Sequence, residues 1–390
     1  MPSSTSNSDT FNAEHESVEI DTHDEIYIPP EKIPYRVIPE QPWSKAIAIA
    51  GIFLVIALVV WEGFAYKMHH TPGNYQTGET YMWAAERSKL DVSNDIKVVL
   101  TGSSRVLWGF DMAIVKEHLG TQPLQLALPG TGPALFVEDI IDNTDFNGLM
   151  IVGVAPFLFN RMDEGYFGQG AIDAYNNVSP SKYTGAKIHD FLSDYLAFLD
   201  ESFSLPELME RYSNLPYRSG SKKLMNEQWK LGNSYKERLT EMWEPVELVG
   251  SFDNIQITNF WSGGLGRPIP EAEEMNKMAQ TSIDHYKPLL EKLRARGGDM
   301  LFIRMPTSGD YLRFSLEADY YNHMWVPMIR GLDVAAIHAM DHPELSTELE
   351  IPEWSHLSRK SQDDFSHKIT AFIDSALKDK SGKSVYELLE

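Results

Sequence analysis

Residues 96–105 read IKVVLTGSSR, and the fold is decided by how that stretch is read. Residues 96–101 are a short, mostly apolar run, and Gly102, Ser103 and Ser104 end it in a turn. An apolar run bounded by a turn is the pattern of a strand buried on both faces. Downstream, Asp111 stands where a helix N-cap belongs, and that helix stops at Gly120. Residues 124–128 (LQLAL) give a second strand, followed by PGTGP at 129–133. A helix near 134–142 leads to a third strand at 149–155 (LMIVGVA). Strands alternating with helices predict an α/β fold, with a parallel sheet covered on both faces.

The alternation breaks at 161–270. That stretch is rich in Tyr, Trp, Asn and Gly, with helical pieces such as 187–199, and reads as a mostly helical insertion over the sheet. A long helix is expected at 271–296, closed by Gly297 and Gly298 and kinked at Pro288. Strands 300–304 (MLFIR) and 334–338 (VAAIH) resume the sheet. Ser361, with Asp364 three residues on, has the spacing of a capping box for the last helix. Phe365, Ile369, Phe372, Ile373, Ala376 and Leu377 supply that helix's apolar stripe.

Ahead of this domain, residues 46–61 (AIAIAGIFLVIALVVW) carry no charged or polar side chain. A bilayer core takes about 20 helical residues, so residues 45–66 are expected to form one uncleaved transmembrane anchor. Trp43, Trp61 and Tyr66 sit where interfacial aromatics belong. Lys32, Arg36 and Lys45 precede the span and Lys67 follows it, which places the N-terminus inside and the large domain, 75–390, outside. Residues 1–44 read as a disordered cytoplasmic tail; the first 45 positions hold nine acids and three bases.

The 390-residue chain has a net charge of -22 and no basic cluster, which excludes nucleic acid as a partner. It has no cysteine, so neither disulfides nor thiolate chemistry enter. The pair Asp341 and His342 is too small a donor set for a metal, and the phosphate-binding glycine motifs are absent. No metal and no organic cofactor is expected.

Three short motifs carry the chemistry. Ser104 lies on the turn after a buried strand, and ligands bind at the carboxyl ends of strands in open α/β sheets. Gly130, after the second strand, allows close backbone approach, so that its N–H can hold a developing oxyanion. Glu353 lies three residues before His356. In a turn its carboxylate reaches Nδ1, fixes the tautomer and leaves Nε2 to take a serine proton. Arg105 and Arg304 are candidates to hold an anionic substrate or to serve as ion-pair partners. Ser308 is a rival nucleophile. Tyr166, Trp229 and Trp261 are candidates for stacking on sugars or for packing.

The serine after the first strand, the glycine after the second and the acid-x-x-His before the last helix resemble the SGNH/GDSL hydrolase superfamily. The resemblance covers roughly 95–160 and 299–378. It implies Ser104 as nucleophile, Gly130 as oxyanion donor, His356 as base and Glu353 as its orienter. Ser103 occupies the family's usual aspartate position, and Glu353 replaces an aspartate. The family's third block supplies an oxyanion asparagine. Here the third strand ends VGVAP (152–156), and the first asparagine is Asn160. Gly-Ser-Ser variants with one anchor resemble membrane-anchored SGNH-like proteins of bacterial cell-surface polysaccharide O-acylation. That resemblance implies an inner-membrane, periplasm-facing serine O-acyltransferase or esterase, with a polysaccharide or acyl-ester substrate and a multi-spanning membrane acyltransferase as partner. A non-catalytic polysaccharide-binding or scaffold subunit, and a lipase-like esterase, are the alternatives.

Overall fold

In the computed structural model, residues 41–75, 79–159, 166–214, 230–266 and 268–389 are described. Five strands form one parallel sheet: β1 (Val98–Thr101), β2 (Leu124–Gln125), β3 (Leu149–Gly153), β6 (Asp299–Arg304) and β7 (Ala335–His338), in the order β2-β1-β3-β6-β7. Every strand residue but two in β7 is buried. The alternation of side chains splits them between two cores. Val99, Met150, Val152, Met300 and Phe302 face one, with helices Ala134–Asn143, Ala272–Ala295 and Val326–Leu332. Val98, Leu100, Leu149, Ile151, Leu301 and Ile303 face the other, with helices Met112–Leu119 and Arg359–Ser381. This is why the strands read as continuous apolar runs.

Local chemistry sets the helix ends. Asp111 accepts the N–H groups of Ala113 (2.7 Å) and Ile114 (3.0 Å), and Gly120 closes the same helix at φ 70°. The last helix departs from the expected start. Its N-cap is Ser358, which accepts Ser361 N–H at 3.3 Å, so Ser361 lies one turn inside. The Ser361 hydroxyl instead accepts Glu350 N–H at 2.8 Å, tying the helix to the preceding loop. A serine's spacing to an acid does not decide between cap and first turn when two serines compete.

The stretch expected to be a mostly helical insertion contains helices Tyr166–Asn176, Pro180–Ser193 and Phe252–Leu265, and also an antiparallel pair, β4 (Gly232–Ser234) and β5 (Thr240–Met242). The N-terminal helix runs Trp43–Lys67 and is long and apolar enough to cross a membrane. Compactness divides the chain within this helix, at Ile56. Its last two turns belong to the larger unit: Trp61, Phe64 and Ala65 pack with Ala197, Phe203 and Leu208. Glu62 accepts the N–H groups of Ala197 (2.9 Å) and Phe198 (3.1 Å).

Candidate active site

The first turn of the site depends on close backbone approach. At Gly102, φ is +149°, and a Cβ there would lie 2.9 Å from Val106 and 3.1 Å from the Gly153 backbone. A Cβ on Gly153 would lie 2.1 Å from the same valine. Glycine at both positions lets Val106 wedge over the ends of β1 and β3, so the chain turns sharply into the short helix Ser104–Leu107. Ser104 is its first residue, and helix-opening N–H groups have no acceptor within the helix. Leu128 N–H donates to the Gly102 carbonyl at 2.9 Å, which brings the loop after β2 alongside this turn. Gly130, on that loop, is exposed at φ 67°.

The second half arrives 252 residues later. Ser104 Oγ lies 2.7 Å from His356 Nε2, and His356 Nδ1 lies 2.8 Å from Glu353 Oε1. Glu353 also accepts His356 backbone N–H at 2.5 Å. A carboxylate only accepts, so Nδ1 carries the ring proton and Nε2 accepts from the serine hydroxyl. Glu353 and His356 are buried and Ser104 is partly open to solvent. The second carboxylate oxygen accepts the Trp261 indole N–H, from helix Phe252–Leu265. The rings of Trp108 and Trp261 flank His356 with centroids 5.1 and 6.0 Å away.

The loop carrying Glu353 is pinned from several elements. Ser308 donates its hydroxyl to Ile351 C=O and its N–H to Trp354 C=O, both at 3.0 Å. Asn254 donates to Pro352 C=O at 3.0 Å, and Arg105 Nε donates to Ser355 Oγ at 3.1 Å. Trp354, between the acid and the base, adopts φ 77°, a strained conformation for a bulky side chain. Gly309 makes room for it; a Cβ there would lie 2.3 Å from the indole.

Sequence reasoning named Ser104, Glu353 and His356, and the structure brings these three together. Ser308 acts as a brace for the Glu353 loop, with its hydroxyl committed to a carbonyl. Asn160 and Trp229 lie outside the described residues, and Tyr166 opens its helix. Trp261, a candidate for stacking or packing by its ring, reaches the acid through its N–H. No local pattern announces that contact, because it joins the insertion to a loop 92 positions away.

Arg105 and Arg304 complete the surroundings. The Arg105 guanidinium carbon lies 4.7 Å over the Tyr311 ring, and Arg304 Nη1 donates to Met305 C=O at 3.2 Å. Burial pushes both guanidinium groups down from their ordinary range, and the charge of Arg105 adds to the effect on Arg304. Among the described residues no metal-binding group of side chains is formed.

No protein-family model matches this chain. No curated protein matches it either. The functional reading therefore rests on the geometry of the site.

Proposed function

We propose that the chain is a membrane-anchored, SGNH-like serine enzyme, an O-acyltransferase or esterase acting on acyl esters of a cell-surface polysaccharide. The observation that carries this reading is the relay from Ser104 through His356 to Glu353, with hydrogen bonds of 2.7 and 2.8 Å at the carboxyl end of a parallel sheet. His356 Nε2 takes the hydroxyl proton as Ser104 Oγ attacks the acyl carbonyl. The N–H groups of Ser104 and Gly130 hold the oxyanion. Collapse transfers the proton from His356 to the departing alcohol and leaves an ester on Ser104. A sugar hydroxyl, or water, then loses its proton to His356 and attacks that ester, restoring the serine. Glu353 stabilises the imidazolium formed in each half.

The apolar helix Trp43–Lys67 supports a bilayer anchor. The lysine and arginine asymmetry around it supports an N-terminus inside and the catalytic domain outside, and the resemblance to SGNH-like envelope proteins makes that membrane the bacterial inner membrane and that side the periplasm. A multi-spanning acyltransferase supplying the acyl group fits a transferase of this design.

The test is covalent labelling of the full chain, in detergent micelles, with a fluorophosphonate probe, alongside turnover of p-nitrophenyl acetate. Wild type is expected to label on Ser104, and Ser104→Ala and His356→Ala to lose labelling and turnover by about a thousandfold or more. An inert wild-type protein that still binds polysaccharide would replace the enzyme with a binding subunit.

A further inference from the structure

The last two turns of the apolar helix are part of the larger unit, and they fix which of its surfaces meets the membrane. The uncharged run ends at Trp61, and Glu62 is the first acid after it. A helix rises about 1.5 Å per residue, so Trp61 and Phe64 both fall within the headgroup layer, about 5–8 Å deep on each side of the hydrocarbon. The Phe203 ring lies between them, with centroids 5.0 Å from Trp61 and 5.5 Å from Phe64, and Leu208 joins the same cluster. Phe203 and Leu208 therefore share headgroup depth.

The surface next to them is apolar and exposed. Leu208 is the inward residue of helix Leu205–Asn214, and Leu205 and Met209 flank it on the helix surface. The turn before helix Phe252–Leu265 lies alongside: Arg211 Nη1 donates to Asp253 Oδ1 at 2.9 Å, and Trp243 donates its indole N–H to His69 C=O at 2.9 Å, just past the anchor. That turn presents Leu248 and Val249, and the helix adds Phe252 and Ile255, one turn apart on one face. Leu205, Met209, Leu248 and Val249 are between 60 and 73% exposed. A large exposed apolar patch marks an interaction surface. Its rim is acidic: Glu207, Glu210 and Glu244 are exposed, and Arg211 is paired with Asp253. The polybasic attraction that draws proteins to anionic lipid has no basis in such a rim.

We propose that Leu205, Met209, Leu248, Val249, Phe252 and Ile255 dock the extracytoplasmic domain onto the bilayer by insertion into neutral lipid at the foot of the anchor. This rests on the bilayer-anchor part of the proposed function and not on its acyl-transfer chemistry. Lipid is the occupant because the patch continues the contact that Phe203 and Leu208 make with the anchor. The anchor holds this surface at the bilayer in every molecule, whereas a protein partner has to be recruited. Docking also reaches the relay. Asn254, between Phe252 and Ile255, donates to Pro352 C=O at 3.0 Å, and Trp261, about 14 Å along the same helix from Phe252, donates to Glu353. The helix that meets lipid on one face holds the loop of the catalytic acid on the other.

The experiment measures depth in the full chain, reconstituted in phosphatidylcholine vesicles. The chain has no cysteine, so a single introduced thiol takes a nitrobenzoxadiazole fluorophore at one position. Met209→Cys, Val249→Cys and Ile255→Cys carry the test, Val92→Cys and Leu316→Cys are exposed controls, and Val55→Cys reports the anchor. Lipids with a doxyl quencher on a shallow acyl carbon are expected to quench the three test sites about threefold or more above the two controls, while a deep quencher reaches Val55. Leu248→Glu together with Val249→Glu, both at exposed positions, is expected to cut quenching at the Ile255→Cys site about threefold or more without lowering the melting temperature. Test sites quenched no more than the controls, or quenching that survives the two glutamates, would overturn the docking. Blue-shifted emission without lipid quenching would also overturn it, because a second copy of the chain would then cover the patch. Quenching at Val55 alone leaves the anchor and removes the docking; no quenching at Val55 removes both. Fluorophosphonate labelling of the same vesicles reads the serine separately: labelling without quenching at the test sites sinks the docking and leaves the enzyme standing, and quenching without labelling does the reverse.

Discussion

Two buried histidines each meet a carboxylate at 2.8 Å through Nδ1: His356 with Glu353, and His70 with Asp200. The difference lies in what else the carboxylate holds. Glu353 takes neutral donors, the His356 N–H and the Trp261 indole, and among the described residues no lysine or arginine lies within ion-pair distance of it. Asp200 accepts from Asn74 at 2.8 Å and pairs with the buried ammonium of Lys230. Burial works to raise the Asp200 carboxyl, but the His70 hydrogen bond and the Lys230 charge outweigh it and hold it well below the usual carboxylate range. Burial, opposed by the Asp200 hydrogen bond and helped by Lys230, holds His70 below its ordinary value. One dyad is already neutralised by a fixed cation and braces the residues after the N-terminal helix against the insertion. The other has no fixed cation among the described residues, which on the proposed mechanism leaves it to stabilise an imidazolium formed during reaction. The same pair of residue types is a strut in one place and, in the proposed mechanism, a proton relay in the other, according to its third partner.

The largest expected effect is at Glu353. It spreads three N–H donors over two oxygens, and an amide has one accepting oxygen. Glu353→Gln therefore sets an N–H against either the His356 side or Trp261. Fluorophosphonate labelling should slow by about a thousandfold to ten-thousandfold, as when a triad acid becomes an amide. Asp200→Ala should act on stability instead. It strands Lys230 in the interior, and urea denaturation should show a loss of about 3–5 kcal/mol. Labelling per folded molecule should be unchanged; slowed labelling there would erase the distinction between the two dyads. Because the folded-state carboxyl of Asp200 is depressed, its contribution is full above the unfolded-state value of about 3.9 and fades as pH falls through and below it.

Smaller effects sharpen the contrast. Trp261→Phe keeps a ring beside His356 and removes one charge-assisted hydrogen bond to Glu353, so labelling should slow about tenfold with little change in melting. A third histidine lacks a close carboxylate: His338 Nδ1 is 3.7 Å from Asp341. Burial, then the charges of Arg304 and His342, push it down to about 3. Between that value and the ordinary 6.5 the unfolded chain binds the extra proton, so stability falls as pH falls across this window. Replacing it, as in His338→Gln, should flatten the acid limb of a stability-against-pH curve by about 1 kcal/mol per pH unit.

The sheet was legible because its strands are buried on both faces and interrupted by turn residues, so that 96–101, 149–155 and 300–304 stand out without any partner in view. The relay was legible in part for a local reason. Glu353 and His356 share one turn, and Ser104 follows a strand whose destination α/β topology dictates. Residues whose partners are distant in sequence were opaque. Ser308 looked like a nucleophile because its tie to Ile351 spans 43 positions. The β4–β5 hairpin was missed because GNS and TEM carry no strand-like alternation; backbone register and the Ser234–Thr240 hydroxyl contact at 3.1 Å pair them.

The 252 positions between Ser104 and His356 have a consequence for the timing of biosynthesis. Ser104 leaves the ribosome soon after the apolar helix, and the histidine proposed to activate it follows 252 residues later. Until then the hydroxyl is an ordinary alcohol. On the proposed mechanism, a chain stalled between the two residues would be chemically silent toward esters around it until the loop carrying His356 has docked.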